Sequence, residues 1–75
     1  MDDPPLTVEA AAGYKGEPTP LSFVLEGLRR EVTHVVETWY TEAHCYFRVI
    51  ASDGHRYVVR YELEKNLWEL VMQER

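Results

Sequence analysis

The side chains able to ligate a metal are His34, His44, Cys45 and His55. Tetrahedral zinc takes three or four ligands, usually at short spacings such as Cys-x2-Cys or His-x3-His. His44 and Cys45 are adjacent, and adjacent residues of a strand point to opposite faces. The set therefore reads as a core cysteine among exposed histidines, with no metal and no cofactor expected. Cysteine catalysis would need a neighbouring base and a lowered thiol pKa, and Cys45 falls in an apolar alternation where burial raises it. Glu62 and Glu69 could meet on neighbouring strands, but acid–base chemistry also needs a pocket, and a barrel this small fills itself with side chains. Gly13 and Gly16 precede prolines rather than a helix, which excludes a phosphate cradle. No enzyme is expected.

Two groups of residues remain as binding candidates. Tyr46, Arg48, Arg56 and Arg60 interleave an aromatic ring with arginines, and Asp53 is the only acid between Cys45 and Tyr61. Guanidinium groups grip phosphates or carboxylates while a ring stacks on a base or packs on a side chain. The alternative is cross-strand pairing of these arginines with Glu37, Glu62 or Glu69 on a solvated face. Tyr14 and Lys15, in the irregular stretch GYKGEPTP, form the second candidate: a loop contact, or a tyrosine folded over an open barrel end.

These residues must be held by strands. Cys45–Ala51 and His55–Leu63 flank Ser52-Asp53-Gly54, a hairpin signature. A two-residue turn would place Phe47 and Val49 across the sheet from Tyr57 and Val59. A three-residue loop with Gly54 left-handed pairs Ala51 with His55 and gathers Cys45, Phe47, Val49, Tyr57, Val59 and Tyr61 on one face, the register that hydrophobic patterning favours. Tyr46, Arg48 and Ile50 then lie beside Arg60, Val58 and Arg56 on the other face.

Leu6-Thr7-Val8-Glu9 suits a short strand, Gly13–Pro20 a loop, and Leu21, Phe23 and Leu25 alternate as a second strand that ends at Gly27. Residues 30–40 are rich in Val and Thr and suit a strand. Val32, Val35 and Trp39 break strict alternation, and a bulge near Thr33-His34 would return all three to one face. A short helix over the same residues is the rival, because the spacing is close to 3.6. Trp68, Leu70 and Met72 alternate with Glu69 and Gln73 in a last strand. Trp39, Phe47, Tyr57, Tyr61 and Trp68 are expected to share one core.

The fold class that follows is all-β: five or six antiparallel strands in a meander, forming a strongly bent sheet or a small, partly open SH3-like barrel. The chain has 75 residues, enough for one domain over 6–75 behind a frayed acidic, proline-rich tail at 1–5. A single cysteine excludes an internal disulfide, the acidic N-terminus lacks the form of a secretory signal, and no apolar run reaches membrane-spanning length. A cytoplasmic protein without membrane contact is expected. The net charge of −5 disfavours a general nucleic-acid binder.

The order of motifs is VEAAAGYKGEPTPLSF at 8–23, Val32, Trp39, YFRV at 46–49, Asp-Gly at 53–54, then Tyr57, Val59, Tyr61, and WEL at 68–70. It resembles a family of small bacterial proteins formed by a domain of unknown function, over about residues 8–70. Similar segments occur at the carboxy end of some proteins resembling translesion DNA polymerases. The resemblance implies a link to DNA metabolism and assigns no catalytic or ligand residue. Taken together, the expectation is a non-enzymatic module that binds a protein partner through its sheet face or an edge. The alternative is weak binding of single-stranded nucleic acid through Tyr46, Arg48, Arg56 and Arg60. Self-association through exposed sheet edges is a third possibility.

Overall fold

A computed structural model describes residues 6–12 and 18–74. The expected tail at 1–5 and the candidate contacts Tyr14 and Lys15 lie outside the described residues. Six strands follow one another: β1 (Thr7–Ala12), β2 (Pro18–Leu25), β3 (Leu28–Tyr40), β4 (His44–Ala51), β5 (Arg56–Glu62) and β6 (Leu67–Glu74). They form one antiparallel meander in the order β1-β2-β3-β4-β5-β6, a strongly curled half-barrel, with no helix among the described residues. Curling brings the first strand to the last, where the Leu6 amide donates to the Trp68 carbonyl at 2.8 Å.

The β4–β5 hairpin sets the frame. The Ala51 amide donates to the His55 carbonyl at 3.0 Å, and Gly54, at φ 82°, closes the loop. This is the three-residue register, with Phe47 opposite Val59, Val49 opposite Tyr57 and Cys45 opposite Tyr61. Cys45, Phe47, Val49, Ala51, Tyr57 and Val59 are buried together with Phe23 and Trp68, and Tyr61 packs against them. β1 and β2 lay Val8, Phe23 and Leu25 over this inner face. The Phe23 ring meets Tyr57 edge-on, with centroids 5.0 Å apart.

Three expectations are corrected. Leu21 is exposed and outside the core, because the β1–β2 ladder shifts between Glu9 and Ala10 and leaves Leu21 unpaired, which breaks the alternation with Phe23. Pro18–Pro20, expected as loop, already belong to β2, where they pair with Ala12–Ala10. Trp39 leaves the core. β3 carries the expected bulge between Val32 and His34 and a second between Val35 and Glu37. Each extra residue reverses the side-chain parity, so Val32 and Val35 share the inner face while Trp39 emerges on the outer one beside Tyr46. Residues 30–40 are thus strand throughout, with two bulges absorbing the near-helical spacing.

β3 changes partners midway. Its first residues pair with β2, from Leu28 opposite Leu25 to Glu31 opposite Ser22. At Glu31 the strand turns to β4: its carbonyl accepts the Ser52 amide at 2.8 Å, and its amide donates to the Ser52 hydroxyl at 3.2 Å. From Val32 to Trp39 its only partner among the described strands is β4.

Candidate functional site

The outer face brings Tyr46, Arg48, Arg56 and Arg60 together on the hairpin, as expected, but their charges are largely taken up within the sheet. Arg48 Nε donates to Glu74 at 3.0 Å, a second guanidinium nitrogen forms a short bond to Glu37, and the group stands 5.4 Å from the centre of the Trp39 ring. Arg60 Nε donates to Glu69 at 3.0 Å, and its Nη1 reaches the Tyr46 hydroxyl at 3.5 Å. The bond to Glu69, followed by that to Tyr46, raises the Arg60 pKa, and the same guanidinium lowers that of Glu69. Such half-exposed pairs contribute at most about 1 kcal/mol each. Arg56 is exposed and has no ion-pair partner among the described residues.

Trp39 completes this face. Its ring stacks on Tyr46 at 5.2 Å, with the planes 3° apart. The His44 ring lies 5.8 Å from Tyr46 on the same side. Trp39 was the residue missing from the sequence reading of this surface, and no local signal marks the second bulge that delivers it.

Among the described residues no three His, Cys, Asp or Glu side chains stand together as metal ligands. Cys45 is buried and faces inward, whereas His44 faces outward. His55 sits at the hairpin tip beside Asp53, which is the hub of a dense polar cluster. Asp53 accepts from the Tyr57 hydroxyl at 2.5 Å, Arg30 Nε at 2.9 Å and the His55 amide at 2.9 Å. Desolvation pushes the Asp53 carboxyl up, but the bonds from Tyr57, His55 and Arg30 outweigh it and hold the pKa at about 2. Arg30 also donates to the carbonyls of Leu25 and Leu28, so the cluster ties the β2–β3 turn to the β4–β5 turn. Every arm of it ends on the protein's own backbone or core, which makes it a structural latch.

A further surface is the edge of β3, which, unlike the terminal edges of β1 and β6, lies within the sheet order. Because Ala51 bonds to His55, the odd-numbered residues of β4 direct their amides to β5 and the even-numbered ones to β3. His34, Glu37 and Trp39, opposite Ile50, Arg48 and Tyr46, therefore bond inward to β4. Thr38, opposite Phe47, turns its amide and carbonyl away from β4, toward a side where no described strand pairs with it. Val35, Val36 and Thr38 are exposed along this stretch. No protein-family model matches the chain, and no curated protein or solved structure matches it.

Proposed function

We propose that this domain is a non-enzymatic binding module that accepts an extended polypeptide as an added strand on the free edge of β3. The observation that carries the reading is the change of partner at Glu31, after which Val32–Trp39 pair, among the described strands, with β4 only. Backbone groups of an edge strand form a template for another strand, with main-chain bonds giving affinity and alternate side chains giving specificity. The bulges at Thr33 and Val36 blunt the first part of the edge, but Glu37–Tyr40 run in regular register beyond them. The outer face supports a nucleic-acid reading less well, since Arg48 and Arg60 already hold carboxylates.

Thr38→Pro tests this cleanly. Proline is tolerated on an edge where the amide serves no internal ladder, whereas Trp39→Pro removes a ladder bond to β4 and destabilises the sheet. The probe is a capped heptapeptide of alternating threonine and valine, titrated into the labelled protein and followed by amide chemical shifts. Shifts centred on Thr38, lost in Thr38→Pro while that variant stays folded, are expected. Undiminished binding by Thr38→Pro, or shifts centred on β5 and β6, would sink the reading. Thr38→Lys, which leaves the backbone amide in place and blocks the edge with charge, serves if the proline variant does not fold.

A further inference from the structure

Resting on that edge-docking reading, we infer that the partner strand is cationic, alternating Lys or Arg with aliphatic residues. The strand that bears the open edge, with the turn after it, has no Lys or Arg from residue 31 to residue 47, while Glu31, Glu37 and Glu42 are all exposed. Glu37 shares one oxygen with Arg48 across the ladder, and Glu31 and Glu42 have no ion-pair partner among the described residues. The two cations that precede this stretch are engaged: Arg29 with Glu9 at 3.4 Å and Arg30 with Asp53 at 2.9 Å.

Natural edge strands are commonly protected by lysine, which repels a second strand and disfavours pairing. This edge carries carboxylates instead, so it repels an acidic strand and attracts a basic one. It also disfavours a second copy of the same edge, since two rows of Glu31, Glu37 and Glu42 would face each other.

Geometry sets the alternation. A strand laid beside Thr38 would send every second side chain to the inner face, next to Val35 and Thr38, and the others to the outer face, next to Glu37 and Trp39. The inner positions suit valine or isoleucine against the exposed Val35. The outer positions suit lysine or arginine, which can meet the second oxygen of the half-exposed Glu37 carboxylate, whose other oxygen already holds Arg48.

The test replaces the threonines of the heptapeptide by lysine in one probe and by glutamate in another. At low salt the valine–lysine peptide is expected to bind about tenfold more tightly than the valine–glutamate peptide, from a few exposed charge pairs acting together. That ratio should fall toward one in high salt and in the variant Glu31→Gln/Glu37→Gln/Glu42→Gln, whose changes are all at exposed side chains. Equal binding of the two charged peptides, with Thr38 still shifting, overturns the charge preference and leaves edge docking intact. Tighter binding of the glutamate peptide also overturns it. Binding of none of the three peptides overturns both.

Discussion

Replacing Asp53 by asparagine removes the charge from the latch while preserving its shape. The native carboxyl titrates at about 2 against an ordinary value of 3.8, because Tyr57, His55 and Arg30 donate to its ionised form more strongly than desolvation opposes it. A folded pKa below the unfolded one means stability that is fully present above the unfolded value and is lost as the pH falls through the folded one. At full strength the shift is worth about 2 kcal/mol, and solvent access to the hairpin tip reduces this to roughly 1–2 kcal/mol. Asp53→Asn should therefore lower stability by that amount at pH 7, in a domain whose total is only about 4–11 kcal/mol. The diagnostic quantity is the difference between wild type and variant, followed by urea denaturation with tryptophan fluorescence from pH 7 to pH 2. Other carboxylates titrate in both proteins and cancel. The difference should hold down to about pH 5 and then shrink by about 1 kcal/mol or more as the pH approaches 2. A difference that stays constant across that range would show that the charge of Asp53 contributes nothing and that the latch acts by shape alone.

Phe23 and Leu21 sit two residues apart in β2 with opposite environments, since Phe23 is buried and Leu21 is exposed. Phe23→Ala should cost about 3–5 kcal/mol and leave the domain close to unfolding, whereas Leu21→Thr should stay within about 0.5 kcal/mol, both read from urea midpoints. Glu26 holds a left-handed conformation at φ 54° in front of Gly27 at φ 78°, a turn that favours Asn-Gly. Glu26→Asn should raise stability by about 0.5–1 kcal/mol, and no gain in melting temperature would mean the turn carries no strain.

How much of this molecule could be read in advance depended on the range of the interaction that decides each feature. The β4–β5 register was legible because one local signal, Ser52-Asp53-Gly54, and one alternation, Phe47 and Val49 with Tyr57 and Val59, agree on a single pairing. The arginines were legible as members of one face for the same reason, and so was pairing with Glu37 and Glu69. Glu74 was not, because it reaches Arg48 only through the parity reversal caused by a bulge where β6 passes Val58 and Val59. Trp39 was lost in the same way, and its amphipathic ring offers no burial preference strong enough to correct the error. The open edge of β3 is more remote still. Nothing in Val32–Tyr40 announces that β2 is no longer alongside; that outcome is settled at Glu31, whose backbone bonds to Ser52 of another hairpin. The same strand sequence, fully flanked, would be an ordinary interior strand with Thr38 in a ladder. The proposed capacity to take a partner thus rests on a long-range exchange of hydrogen bonds, while the proposed charge preference rests on local sequence, the carboxylates at 31, 37 and 42 with no lysine or arginine among them.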